Sequence, residues 1–334
     1  MDWGSTLGLR SYIVKKIIYL IILVFFVVTL NFIIFMLMPG DPTAVLASSA
    51  RLKTQEQVEI VRKLYGLDDP LYVRYFKYLQ NMFTFNFGFS YFTGRAVSEE
   101  MGMRLTNTLL LVGVSTIVSI IVGILLGVIA AAKRGKLFDS FSVIASLITY
   151  SLPSFWIGMV LLLIFAVWLR WFPIGGVVPP EWAQNPPSNI LVEIQGRAYY
   201  LFLPVLTLVL FQYGGYLLFT RAVMLESLTE DYIVTAKAKG VKERVILFKH
   251  ALKNASLPLI TNIALSFGFM LSGAIITEQV FSYPGLGLWL WDAIAFADYP
   301  VLQAMFYIIA LCVIVANFIA DLLYGVIDPR IKYG

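Results

Sequence analysis

The stretch EDYIVTAKAKGVKERVILFKHALKNASLP, Glu230 to Pro258, lies between two long apolar runs and decides how the chain is read. With the nearby Arg221 it carries Lys237, Lys239, Lys242, Arg244, Lys249 and Lys253, seven of the chain's Lys and Arg residues. Glu230 or Asp231 opens a short helix, where an acidic side chain suits the positive end of the helix dipole. Lys237 and Lys239 fall in its last turn, where cations are favoured, and Gly240 stops it. Thr235, Ala236 and Ala238 are small enough for another protein's surface to come close. A second helix follows, with Val241, Val245, Phe248, Leu252 and Ala255 expected on one face and Lys242, Glu243, Lys249 and Lys253 on the other. Pro258 then admits the chain to an apolar span. The product is a helix-turn-helix bracket lying along a membrane surface. A solvated connector resting on anionic lipid is the plainer reading of the same spacing.

Composition places the rest of the chain in a bilayer. Mean hydropathy is +0.81 and only 13% of the 334 residues are charged, against about 25% in a soluble domain. The net charge of +5 is therefore a topology signal and no sign of nucleic-acid binding. The one cysteine, Cys312, lies in an apolar run, which excludes a disulfide framework and a cysteine metal site.

Six runs are long enough to cross the hydrocarbon core: Ile17–Met38, Leu105–Ala132, Phe141–Leu169, Tyr200–Phe219, Leu257–Val280 and Val301–Ile327. The first follows Arg10, Lys15 and Lys16, as a secretory signal would, but its apolar core is too long for one. Fifteen Lys and Arg fall on the side of the N-terminus and ten on the other, eight of those ten in one loop of over 60 residues, and long loops count little. Both termini are accordingly expected in the cytoplasm. The expected organisation is a cytoplasmic segment 1–16, a first span 17–38, an extracellular helical loop 39–104, a five-span core 105–327 containing the cytoplasmic loop 221–256, and a cytoplasmic tail 328–334.

The extracellular loop reads as two amphipathic helices. Thr54 and Gln57 form a capping box, Val58, Val61, Leu64 and Tyr65 make one face, and Gly66 closes the helix. A second helix opens at Asp69-Pro70 and shows Tyr72, Tyr75, Phe76, Leu79, Met82 and Phe83 at helical spacing. They cap the spans, and they also offer a landing surface for an external partner. The Pro- and Gly-rich stretch Trp171–Gln195 reads as ordered turns or a flap.

The bracket resembles the cytoplasmic loop of binding-protein-dependent ABC transporter permeases. The family's general Glu-Ala-Ala-x-x-x-Gly form falls on Val234 to Gly240, with Val234 in place of Glu and Thr235 in place of the first Ala. TAKAKG, Thr235–Gly240, is closer to the Thr-Ala-Arg-Ala-Lys-Gly of the dipeptide and oligopeptide subfamily. MPGDP at Met38–Pro42, EQVFSYPGLGLWLWDAIAFADYP at Glu278–Pro300, and Asp328-Pro329-Arg330 agree with it; Asn86-Phe87-Gly88 departs, where relatives often have Gly-Asp-Leu-Gly. The long first outer loop is similar to that of the first of two permease subunits.

The resemblance implies an all-α, type I ABC importer permease with six transmembrane helices. It also implies a second homologous permease, two ATPase subunits that hold ATP and Mg, and an extracellular solute-binding protein. This chain would carry no cofactor. Asp231, Tyr232, Thr235, Ala236, Lys237, Ala238, Lys239 and Gly240 would couple it to the ATPase. No Gly-x-x-x-x-Gly-Lys-[Ser/Thr] is present: the only Gly-Lys pair, Gly135-Lys136, is followed by Leu137, so hydrolysis is expected in another chain. Short peptides are the first expected solute and short oligosaccharides the second.

Polar residues in apolar runs are the candidates for a translocation path, since polar groups avoid lipid. They are Asn31, Ser151, Asn262, Ser266, Ser272 and Asn317, with Glu278 and Asp321 near span ends, where interfacial pairing is the plainer reading. Gly123, Gly127, Gly268 and Gly273 allow close helix approach, and Pro153 is expected to kink the third span. Trp168, Trp171, Trp289, Trp291, Phe281 and Tyr283 would suit an aromatic mouth or an interfacial belt. A channel or secondary transporter would more often show inverted repeats or midplane charges. A membrane enzyme would need a constellation that the lone His250 does not supply.

Overall fold

The computed structural model describes the backbone of residues 4–37, 69–268 and 274–327. Among the described residues the chain is helical apart from turns and one isolated β-bridge, Phe89 to Ala96. Met38–Pro42, the Thr54–Gly66 helix, Ser272, Gly273 and Asp328-Pro329-Arg330 lie outside the described residues.

The helices follow the apolar runs and exceed them. α1 is Gly4–Leu37, α2 Leu71–Phe83, α3 Val97–Ala132, α4 Leu137–Ser151 and α5 Ser154–Leu161, which continues as a π-helical stretch, Leu162–Trp168. After a 3-10 turn at Pro180–Ala183 come α6 Ile190–Ser227 and α7 Asp231–Ala238. Then come α8 Glu243–Val245, a π-helical turn Ile246–Ala251, α9 Leu252–Gly268, α10 Ile275–Val280, α11 Leu286–Ala295 and α12 Tyr299–Ile327.

Four of these, α1, α3, α6 and α12, are long and apolar enough to cross a membrane, and α4 with α5 makes a fifth if the bent pair is one span. The single third span expected over Phe141–Leu169 is instead two helices set at 100°. Pro153 is the cause: it has no N–H for the helix ladder and its ring drives Leu152 to an extended ψ of 139°. The expected span Leu257–Val280 runs through residues 269–273, outside the described residues, so four or five spans are shown where six were expected.

The chain divides into two compact units. One is built on Met1–Asn107 and Gly285–Phe318, the other on Thr108–Pro284 and Ile319–Lys332.

In the first unit, α2 packs on α1. Thr29 and Tyr75 share a hydroxyl–hydroxyl hydrogen bond of 2.7 Å, and Phe32 meets the rings of Tyr75 and Tyr78 at 5.2 and 5.4 Å. The face of α2 that packs differs from the expected one. Tyr78 and Met82 are buried, while Tyr72, Phe76 and Phe83 are exposed. Burial pushes the Tyr78 hydroxyl well above its ordinary pKa. A carboxylate organises the loops of this unit: buried Asp298 accepts hydrogen bonds from the Ser90 hydroxyl and from the N–H groups of Tyr91 (3.0 Å) and Phe92 (3.2 Å). The rings of Phe92 and Phe296 stack beside it at 3.9 Å.

The second unit depends on missing side chains. A Cβ on Gly123 would stand 2.4 Å from the Cβ of Tyr216, and one on Gly127 2.6 Å from that of Thr220, so α3 and α6 approach as closely as backbones allow. Gly214 of α6 likewise meets the backbone of Ser146 in α4. One apolar cluster gathers Leu111, Ala166, Leu203, Leu208, Phe281 and Tyr283, and Glu278 is fully buried, accepting from the Thr108 hydroxyl at 2.6 Å. The loop after α5 is ordered: Tyr199 donates to the Trp171 carbonyl at 2.7 Å and Phe172 stacks on Phe202 at 4.6 Å.

The aromatic residues expected at a mouth or an interfacial belt divide into exposed and buried ones. Trp168, Trp171 and Trp291 are exposed, but Trp289, Phe281 and Tyr283 are core residues, and the guanidinium of Arg104 sits 5.0 Å over the Trp289 ring.

Gly123→Ala should lower the thermal unfolding midpoint in detergent, because overpacking costs about 1–3 kcal/mol. Gly102→Ala on the same helix is the control. Nothing lies within 4 Å of its added methyl, so the midpoint should hold or rise.

Candidate functional site

The bracket forms where it was expected. Asp231 stands in the first turn of α7 and Lys237 in the last, and Lys239 is the C-cap. Gly240 takes φ +71°, a left-handed conformation that costs glycine nothing. The Gly240 N–H donates to the Lys237 carbonyl at 2.9 Å and the Val241 N–H to the Ala236 carbonyl at 3.2 Å. That is the Schellman pair of bonds, closed by the apolar partners Val241 and Ala236. Gly240 thus supplies the left-handed residue that closes the helix after Lys239, a conformation that strains most side chains.

α7 has an inner and an outer face. Ile233 is fully buried and Ala236 nearly so, in a cluster with Val128, Ala131, Met224, Ile246 and Ala251. Tyr232 is half-buried and shares a hydrogen bond of 2.6 Å with the Ser227 hydroxyl, which donates onward to the Ala251 carbonyl at 3.0 Å. Of the eight residues expected to couple, Ala236 and Tyr232 therefore hold the bracket down. Asp231, Thr235, Lys237, Ala238, Lys239 and Gly240 are exposed, together with Val234.

The second bracket helix departs from the expected register. Ile246, Ala251, Ala255 and Leu259 are buried, while Val245 and Phe248 are exposed. The π-helical turn explains this. It adds a residue to one turn, so Ile246 is followed on the inner face by the residue five later. The helix also runs on through Pro258 into α9, where a boundary was expected. Lys242, Arg244, Lys249 and Lys253 all face out, extending the basic surface that Lys237 and Lys239 begin.

The path candidates that lie among the described residues have the following places. Asn31 is buried in the first unit and donates to the Gln303 carbonyl at 3.0 Å, a helix–helix bond. Ser151 donates to the Leu147 carbonyl of its own helix, and Ser266 to that of Asn262. Asn262 is half-buried and Asn317 exposed. Ser272 and the side chain of Asp321 lie outside the described residues. These bonds are what isolated Ser and Asn residues make in packed membrane helices.

One contact near the bracket escaped sequence reading. Arg221 on α6 holds Asp139 on α4 with both arms of its guanidinium, Nε to Oδ1 at 2.6 Å and Nη2 to Oδ2 at 2.8 Å. The pair joins residues 82 apart, so only an acidic residue in a helix's first turn hinted at it.

Residues 123–333 match the family described as "Binding-protein-dependent transport system inner membrane component", and residues 9–112 match its N-terminal component. The chain belongs to this family. The permease is 39% identical over 326 residues to the oligopeptide transport system permease protein of Bacillus subtilis, covering 97% of this chain and 100% of the relative. It is 38% identical over 333 residues to the di/tripeptide transport system permease protein of Pseudomonas aeruginosa, covering 97% of this chain and 99% of the relative. It is 36% identical over 323 residues to the glutathione transport system permease protein of Escherichia coli K12, with the same coverage. The permease is thus a multi-pass, all-α membrane subunit and not a catalytic chain.

Replacing Ile233 by Ala should loosen the bracket without removing it. A buried Ile→Ala change costs about 2–5 kcal/mol, so the exposed peptide bonds of 228–242 should become protease-sensitive in membranes. The equally apolar but exposed Val234 should tolerate Ala with no change in cleavage.

Proposed function

We propose that this permease is one of two membrane subunits of an ATP-driven importer that takes up short peptides. The outer face of α7 carries the reading: small and basic side chains, exposed on a helix whose inner face is pinned by Ile233 and Ala236. Such a helix can receive a push without unfolding. The proposed pusher is a pair of ATPase subunits that bind ATP and Mg; this chain has no phosphate loop of its own. A second homologous permease completes the membrane part, and an extracellular binding protein delivers the solute to the outer loops. The excess of Lys and Arg around the bracket supports a cytoplasmic side for it, and we assign both termini to the same side.

The names of the relatives, for oligopeptides, di- and tripeptides and glutathione, support a peptide solute. Nothing among them favours oligosaccharides. The coupling role falls to Asp231, Thr235, Lys237, Ala238, Lys239 and Gly240 on the exposed face. Tyr232 and Ala236 act by holding that face in place.

Affinity purification of the tagged permease from its own membrane in mild detergent, with mass spectrometry, tests the assembly. ATPase subunits and a second permease are the expected companions, and recovery of this chain alone would favour a self-sufficient carrier. Gly240→Glu should leave the protein in the membrane but separate ATP hydrolysis from uptake. The left-handed φ strains any side chain there by about 1–3 kcal/mol, and an anion would enter a basic face. Uptake at the wild-type rate by that variant would refute the coupling role of the turn.

A further inference from the structure

A push on α7 does no transport unless it reaches the helices that move. The geometry points to Asp139 and Arg221 as the positioning pair that carries the displacement of the bracket into the broken helix α4–α5. The inference rests on the import reading above.

Arg221 lies on the last turns of α6, six residues before Ser227. Ser227 is tied to both halves of the bracket, to Tyr232 at 2.6 Å and to the Ala251 carbonyl at 3.0 Å. The end of α6 therefore moves with the bracket. Asp139 is buried and makes three charge-assisted contacts at once. Its oxygens take both arms of Arg221, and Oδ2 also accepts the Gly135 N–H at 2.9 Å. Gly135, at φ +75°, closes the turn Lys133–Lys136 between α3 and α4. One carboxylate thus fixes the start of α4 to the end of α6 and shapes the turn that leads into it.

α4 is held to α6 at a second place, where Gly214 meets the Ser146 backbone with no room for a side chain. Ser146 is seven residues beyond Asp139, roughly 10 Å along the helix at 1.5 Å per residue. Gly214 and Arg221 both belong to α6, so the tight contact and the ion pair clamp α4 to α6 at two places and the two helices move as one piece. Displacing the end of α6 then carries α4 and the Ser151–Ser154 break, where the helix bends by 100°, and without the ion pair α4 is free to swivel about Ser146. A partly buried ion pair adds little net stability over an apolar pair of the same volume. What the two-pronged grip supplies is a fixed distance and angle, which a lysine's point charge would not.

The test uses the complete transporter, purified with its ATPases and second permease and reconstituted with its binding protein, and reads peptide imported per ATP hydrolysed. Asp139→Asn and Arg221→Lys should each lower that ratio roughly tenfold, within the range by which single residues alter coupling between sites, with co-purifying ATPase unchanged. The exchange Asp139→Arg with Arg221→Asp should recover part of it. An unchanged ratio in Asp139→Asn overturns the proposal. So does import that falls only in proportion to the complex recovered, with the exchange no better than either single variant, since the pair then serves folding alone. A wild-type complex that imports no peptide would count against the import reading instead. The pair is then judged by spin labels at the exposed positions Phe141 and Met159: an ATP-driven change in their separation that Asp139→Asn abolishes supports it, and one that survives refutes it.

Discussion

The burial of Ile233 is the constraint on which the rest of the bracket depends. An eight-residue helix has too few hydrogen bonds to stand alone in water. α7 exists because Ile233 and Ala236 enter an apolar cluster with residues of α3, α6 and the π-helical turn. That docking fixes which side faces out, and so leaves Lys237, Lys239 and the Gly240 turn exposed. The Schellman closure at Gly240 then ends the helix where the outer face is most basic. Burial, capping and exposed charge are one arrangement.

The second unit applies the same economy elsewhere. Between membrane helices the hydrophobic effect gives little, and close packing of small residues does the holding. Gly123 and Gly127 bring α3 against α6, and Gly214 brings α6 against α4. Polar side chains in these helices are mostly satisfied locally, as the Ser115, Ser119, Ser146 and Thr207 hydroxyls are by carbonyls four residues back. Among the described residues, Thr108 to Glu278, Arg221 to Asp139 and Ser227 to the Ala251 carbonyl are polar contacts that cross between elements, and such contacts set geometry.

Much of this was legible in the sequence, for local reasons. Apolar runs gave the four long helices α1, α3, α6 and α12, Pro153 gave the break, and Gly240 after a small-residue helix with terminal lysines gave the bracket turn. Each of these depends on backbone chemistry within a few residues. What was not legible depends on packing. Val245 and Phe248 fit the expected face by spacing, yet the π-helical turn rotates them outward, and nothing local announces that extra residue. Trp289 and Trp291 look alike in sequence, but one is core beneath Arg104 and the other is exposed. The bond from Asn31 to the Gln303 carbonyl joins residues 272 apart, so no local pattern announces it.

The central claim is that α7 presents one face to an ATPase and keeps the other for its own core. Photo-crosslinking from single positions in the intact membrane complex tests it most directly. A photoreactive residue at Lys237 should give an adduct with an ATPase subunit, and one at Ala236 should give adducts only within this chain. Equal labelling of the ATPase from both positions, or from neither, would contradict the account.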